Sequence, residues 1–120
     1  MDGRKVWLIP YCELPEEGEG RLKGPESVIV LNAGKKKAQI KVTLYFTDRE
    51  KYNKVTWEVN GESVRCFRMN NIEDMCGFVV SKNTQYAMKI VSIVPVVVQY
   101  GRLDNRQTNL AYYTTLGFSK

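Results

Sequence analysis

Apolar and polar residues alternate along several short segments of this chain, the pattern of strands that bury one face. In QIKVTLYF, every second residue from Ile40 to Phe46 is apolar. In VTWEV, Trp57 shares one face with Val55 and Val59, so we expect its side chain in the core. No segment shows a helical period over eleven or more residues, as an amphipathic helix requires. The pattern therefore predicts an all-β protein.

About eight short strands can be placed along the sequence, separated by loops rich in glycine, proline, asparagine and charge. They are KVWLI, SVIVLN, QIKVTLYF, VTWEV, a run through Val64 and Cys66, AMKIVSI, PVVVQYGRL and LAYYTTLGF. This spacing predicts an antiparallel β-sandwich, jelly-roll-like, forming a single domain over residues 1–120. Asn60-Gly61 predicts a tight β-hairpin between two of the strands. We also expect Cys66, in the second of these strands, to be buried.

Two segments, VIVLN and VPVVV, are apolar on both faces. One face of such a strand packs on the opposing sheet, and the other needs a second cover that no predicted helix provides. We interpret this as the mark of a homo-oligomer, in which another copy of the chain covers the outer face. A long loop lying over that face is the alternative.

Composition excludes several classes of function. The 120 residues contain no histidine, which removes the commonest metal ligand and the usual general acid or base near neutral pH. The acidic residues form no convergent pair, so we predict no enzyme activity, no metal site and no cofactor. The net charge is +5, and the basic residues are spread along the chain apart from the run Lys35–Lys37. Because a nucleic-acid surface more often carries a continuous basic stripe, this spread argues against one.

The cysteines and the apolar runs bear on the compartment. Cys12, Cys66 and Cys76 are odd in number and lack a C-x-x-C pair, so we expect free thiols in a reducing environment. The sequence shows neither a signal peptide nor a run of about 20 apolar residues, the length of a membrane helix. We therefore expect a soluble, cytoplasmic protein without membrane insertion.

The segment RLDNRQ is the densest polar motif. In an extended strand, Arg102, Asp104 and Arg106 share one face, so the carboxylate lies between two guanidinium groups. A carboxylate can fix an arginine in one plane and leave its other donors for the hydroxyls or carboxylate of a ligand. An ion-pair network between strands or subunits, with no ligand, explains the same pattern.

Three segments, VPVVVQYGRLDNRQ, VIVLNAGKKKAQIKVTLYFTDRE and KVWLIPYCELP, resemble the sensory rhodopsin transducer family in the same order along the chain. The resemblance implies a small soluble β-sandwich that assembles as a four-fold homotetramer. It also implies a cytoplasmic partner of a light-sensing membrane receptor, or a binder of small molecules, sugars in particular. DNA binding has been suggested within the family.

The family motif extends to individual positions of this sequence. Arg102, Asp104, Arg106 and Gln107 match its most characteristic segment, and Trp7 matches an early tryptophan. Asn32 matches the turn after the second strand. Tyr100 and Gly101 stand where the typical motif has a histidine and a small polar residue, so any role of that histidine is absent from this chain.

The candidate ligand-binding residues are Trp7, Tyr11, Asn32, Arg102, Asp104, Arg106 and Gln107. Trp7 can stack on a sugar ring or fill the core, Tyr11 can donate its hydroxyl or pack on the sheet, and Asn32 can bind a polyol or shape a turn. The sequence thus predicts a non-catalytic signalling module that binds a small, sugar-like molecule as a homotetramer. The alternative is an adaptor that docks a receptor protein or, as a weaker hypothesis, DNA.

Overall fold

The computed structural model describes residues 2–14, 26–104 and 111–120 of the chain. These residues form eight strands: β1 (Arg4–Glu13), β2 (Glu26–Asn32), β3 (Ala38–Phe46), β4 (Tyr52–Val59), β5 (Ser63–Arg68), β6 (Gln85–Asp104), β7 (Ala111–Leu116) and β8 (Phe118–Ser119). Every strand pair in the described part is antiparallel. The prediction of an all-β antiparallel sandwich of about eight strands is confirmed.

The strands form two sheets that share β6. Sheet A has the order β4-β3-β6-β1-β8, and in sheet B the strand β6 lies between β2 and β7, with β5 outside β2. The first half of β6 pairs with β3 as far as Ser92, and the second half pairs with β2 from Val97 onward. Pro95, which has no N–H to donate, lies between these two ladders. The segments AMKIVSI and PVVVQYGRL, predicted as two strands, are therefore one strand that passes from sheet A to sheet B.

The core lies between the inward faces of the two sheets. Val28 and Val30 of β2 and Val98 of β6 are fully buried, as the apolar runs predict. Trp57 is 3% exposed, which confirms its predicted place in the core. Its ring stacks on that of Phe67 in the opposing sheet, with centroids 4.2 Å apart and an interplanar angle of 6°. Contacts of this kind join the sheets into one packed unit.

The hairpin predicted at Asn60-Gly61 is wrong. The turn does join β4 to β5, but β4 pairs with β3 and β5 pairs with β2, so it crosses from one sheet to the other. Tertiary contacts explain this crossing. The N–H of Glu62 donates to Gly34 O at 2.8 Å, and a Cβ at Gly61 would lie 2.1 Å from Lys35 O. Glycine is therefore required because another turn approaches its backbone closely.

The outer face of sheet B is apolar. Leu31 lies between Val64 and Val97 in the ladder, and Leu31 and Val64 are 43% and 59% exposed. The expectation that Cys66 is buried is wrong, because Phe67 takes the inward position of β5 and Cys66 lies exposed beside it. The strands predicted to be apolar on both faces thus bury one face in the protomer. Their other face is exposed at Leu31 and half-buried at Val94 and Val97.

Candidate functional site

A fully buried carboxyl group lies at one end of the sandwich. Glu26, the first residue of β2, is 0% exposed, and both of its carboxyl oxygens accept hydrogen bonds. Tyr86 donates its hydroxyl to Oε1 and Tyr100 donates to Oε2. The Glu13 N–H contacts the Tyr100 hydroxyl oxygen at 3.3 Å. The group therefore has the hydrogen-bonded partners that a buried carboxyl needs.

The path of β6 brings these groups together. Tyr86 lies near its beginning, in sheet A, and Tyr100 lies near its end, in sheet B. Tyr100 reaches the carboxyl group from the strand next to β2 in sheet B, and Tyr86 reaches it from the facing sheet A. Cys12 is the cross-strand partner of Tyr86 and is also fully buried. We name Cys12, Glu26, Tyr86 and Tyr100 the buried polar cluster.

Burial sets the protonation of this cluster. It raises the pKa of Glu26 above the usual range, although the tyrosine hydroxyls and the charge of Arg102 oppose that shift. Burial, and next the charge of Glu26, raise the pKa values of Tyr86 and Tyr100, so both remain donors. The same two causes raise the pKa of the Cys12 thiol. A thiol held protonated in this way is poorly suited to act as a nucleophile.

Arg102, Tyr11 and Glu13 lie between the buried polar cluster and solvent, and we call them the mouth. The guanidinium carbon of Arg102 is 5.1 Å from the centroid of the Tyr11 ring, and Nη1 is 3.9 Å from Glu13 Oε1. Tyr11 donates its hydroxyl to the same oxygen at 2.6 Å. Arg102 is also the cross-strand partner of Glu26, and its charge acts to lower the pKa of that carboxyl group. The mouth thus combines fixed donors, a carboxylate acceptor and an aromatic ring.

A surface depression of about 380 Å³ adjoins the mouth. Tyr11 forms part of its wall, together with Pro10, Leu116 and Phe118, and Phe118 is 67% exposed. Its volume falls in the range of small-molecule sites. An apolar wall beside a few fixed polar groups suits a ligand that has both a ring face and hydroxyl groups.

Of the residues predicted from sequence, the structure brings Tyr11 and Arg102 together and places Trp7 and Asn32 elsewhere. Trp7 is 6% exposed and donates its indole N–H to the carbonyls of Arg4 and Val96, both at 3.0 Å. Trp7 thus fills the core, which is one of the two roles that the sequence left open for it. Asp104 ends β6, but its side chain, Arg106 and Gln107 lie outside the described part of the structure.

Asn32 is buried and closes a turn at the other end of β2. Its amide nitrogen donates to the carbonyls of Lys36, Val59 and Asn60 at 2.8 to 3.2 Å. Its side-chain oxygen accepts the Gly34 N–H at 3.1 Å. Both the nitrogen and the oxygen of the Asn32 amide therefore form hydrogen bonds within the protein. This is the turn-shaping role that the sequence offered as an alternative to binding a polyol.

Sequence reasoning missed Glu13, Glu26 and Tyr86. A signal was available for Glu26, because it falls at the same alternate positions of β2 as the inward-facing Val28 and Val30. A carboxylate at the start of a strand resembles a solvated strand end, and only its tertiary partners distinguish the two cases. Tyr86 contacts Glu26 across the core, from the facing sheet, and the two residues lie 60 positions apart in sequence.

The described residues also bear on two other kinds of site. In that part of the chain, no three Cys, Asp or Glu side chains gather as metal ligands. None of the described segments forms a helix long and apolar enough to cross a membrane.

The fold and the mouth define a small antiparallel β-sandwich with a polar site at one end of its core. The family model described as Anabaena sensory rhodopsin transducer matches residues 2–119. The chain therefore belongs to the Anabaena sensory rhodopsin transducer family, which confirms the resemblance seen in the sequence.

The solved structures that share this fold include the following two. Thermotoga maritima 1070 is 27% identical with a TM-score of 0.88, covering 100% of this chain and 97% of that one. The Anabaena sensory rhodopsin transducer is 32% identical with a TM-score of 0.71, covering 82% of this chain and 96% of its own. Among curated proteins, none matches this sequence.

Proposed function

We propose that this chain is a non-catalytic signalling module that binds a small hydroxylated, sugar-like molecule at the mouth. The observation that carries the proposal is the placement of Arg102 between the Tyr11 ring and Glu13, where Tyr11 also forms part of the wall of a depression of about 380 Å³. Arg102 would donate to ligand hydroxyls, Glu13 would accept from them, and Tyr11 would pack on the ring face. Asp104, Arg106 and Gln107 follow Arg102 in sequence and belong to the proposed site.

The proposed module works in the cytoplasm as a homo-oligomer, a tetramer by family resemblance. Support for self-association comes from the outer face of sheet B, where Leu31, Val64, Val97 and Leu116 form an apolar surface. An exposed patch of this kind on a folded protein commonly marks an interface. The free thiols of Cys12, Cys66 and Cys76 fit a reducing compartment.

Receptor docking is the second candidate function, and the family's name favours it. The Anabaena relative is by name a transducer of a sensory rhodopsin. In this alternative the mouth holds the structure together, and the outer surfaces bind the receptor. The two candidates differ in whether the mouth binds a small molecule.

A thermal-shift screen with sugars, sugar acids and polyols tests the ligand proposal. A compound present at about 100 times its dissociation constant stabilises the folded state by about 2.7 kcal/mol, which raises the Tm by roughly 10 °C in a domain of this size. We expect Arg102→Ala to abolish that shift. Arg49→Ala, which removes an exposed arginine that pairs with its neighbour Asp48, should keep it. A shift retained in Arg102→Ala places the ligand elsewhere, and no shift with any compound favours receptor docking.

Self-association is tested by placing a charge on the outer face of sheet B. We expect Leu31→Asp to raise the dissociation constant of the oligomer at least about 100-fold, because a carboxylate would be buried without a partner. Sedimentation velocity of wild type and variant gives the assembly state, and circular dichroism confirms folding. Val79→Asp, at a loop residue that is 69% exposed, is the matched control and should sediment as wild type. A monomeric wild type contradicts the proposal.

A further inference from the structure

A second surface, separate from the mouth, crosses the outer face of sheet A. It consists of two depressions, of about 530 and 440 Å³, that meet at Ile93. Ile93 is 60% exposed and lines both of them. Pro95, in the wall of the larger depression, precedes Arg102 by seven residues of β6, or about 23 Å of extended strand. We name this surface the lysine groove.

The larger depression has an apolar floor and a basic rim. Val94 and Pro95 form the floor beside Ile93, and Lys5, Lys35 and Lys36 line the edge together with Asp2. All three lysines are exposed. In the described part of the chain, none of these lysines has an ion-pair partner. Three cations therefore surround an apolar surface with a single carboxylate among them.

The turn that carries Lys35 and Lys36 is held in place from the core. Asn32 binds Gly34 N–H and Lys36 O, and Gly34 O accepts the N–H of Glu62. The backbone that bears these two lysines is thus fixed before any partner arrives, which lowers the entropic cost of binding. Lys37 is engaged elsewhere, since its Nζ lies 3.6 Å from Glu58 Oε2.

The smaller depression continues the same chemistry along the sheet. Val91 and Ile93 supply its apolar surface, and Lys41 and Thr56 its polar edge. Glu58 also lines it, but its charge is offset by Lys37. Across both depressions, four lysines face Asp2 and the paired Glu58. The groove is therefore net positive along its whole length.

We propose that the lysine groove binds an extended acidic segment of a partner protein, with apolar side chains of that segment seated on either side of Ile93. Two neighbouring depressions that share the exposed Ile93 fit an extended chain better than one compact molecule. Lysine ammonium groups, as mobile point charges at the rim, attract carboxylates and speed association without demanding one geometry. The apolar floor supplies the contacts that hold the segment. This proposal does not depend on a ligand at the mouth.

The test uses a fluorescein-labelled hexapeptide of four glutamates and two leucines, followed by fluorescence anisotropy on the full chain. We expect the double variant Lys35→Gln, Lys36→Gln to weaken binding at least tenfold. The control double variant Lys51→Gln, Lys54→Gln removes the same charge from exposed positions outside the groove and should change the affinity less than twofold. A peptide with serine in place of both leucines should bind at least fivefold more weakly.

Four outcomes overturn the proposal. An equal loss of peptide affinity in the two double variants shows that the peptide is attracted by the net charge of the protein alone. Equal binding of the serine peptide shows that the apolar floor takes no part. A short DNA duplex that binds more tightly than the peptide and displaces it assigns the surface to phosphate backbones, with a steep dependence on salt. A change of sedimentation in the Lys35→Gln, Lys36→Gln variant assigns the groove to a second copy of the chain.

Discussion

Replacing Glu26 with alanine should destabilise the protein by about 3 to 4 kcal/mol. The substitution removes the acceptor of two tyrosine hydroxyls that lie in the core, and it leaves a cavity between the sheets. Buried polar groups that lose their partners cost about 1 to 3 kcal/mol each, and the cavity adds to this. Urea unfolding measures the difference. Glu50→Ala, at an exposed glutamate, is the control and should change stability by less than about 0.5 kcal/mol.

Glu26→Gln separates the charge of this group from its shape. Because burial raises the pKa of Glu26, the folded protein holds a proton there at pH values where the unfolded chain has lost it. The stabilising contribution is complete below the unfolded pKa of about 4.3 and is lost as the pH rises through the folded pKa. Glutamine does not titrate, so the stability of the wild type relative to Glu26→Gln should fall over that range. A difference that stays constant or rises with pH contradicts this account.

Replacing Asn32 with alanine should cost about 2 to 3 kcal/mol. The change removes hydrogen bonds to three carbonyl groups and to the Gly34 N–H at a buried position. Because these bonds join the turn after β2 to the turn after β4, both turns should loosen together. Hydrogen exchange should show earlier exchange at Glu62, whose N–H donates to Gly34.

Two companion variants sharpen the Asn32 measurement. Asn32→Asp places a carboxylate against the three carbonyl groups and should destabilise more than alanine does, because it replaces the donor with an acceptor. Asn53→Ala, at an exposed position of β4, should have little effect. The structural role of Asn32 is contradicted if Asn32→Ala lowers the free energy of unfolding by less than about 1 kcal/mol. It is also contradicted if the alanine variants at Asn32 and Asn53 lose equal stability.

Local pattern was enough to predict the strands and the core. The alternation around Trp57 correctly places it inside, since period-two patterning reports which face is buried. The doubly apolar strands correctly predicted an apolar outer face. The Asn60-Gly61 turn misled because local turn chemistry favours a hairpin, whereas contacts from the turn after β2 direct the chain to the other sheet.

The candidate site was only partly predictable. The cluster of charge around Arg102 drew attention to this end of β6, but the described neighbours of Arg102 at the mouth, Tyr11 and Glu13, come from β1. Glu26 looked like an unremarkable strand start, and its role follows from the crossing of β6 between sheets. Partners so far apart in sequence leave no local pattern, so they emerge only when the fold is known.

The central claim is that the mouth binds a small hydroxylated ligand, and a ¹⁵N NMR titration with the most stabilising compound of the thermal-shift screen tests it most directly. We predict chemical-shift changes at the backbone amides of Tyr11, Glu13 and Arg102 and at the Nε–H of Arg102, with saturation at one ligand per protomer. Changes centred on Lys35 and Ile93 in the lysine groove, or on Leu31 and Val64, with none at Arg102, would contradict the claim.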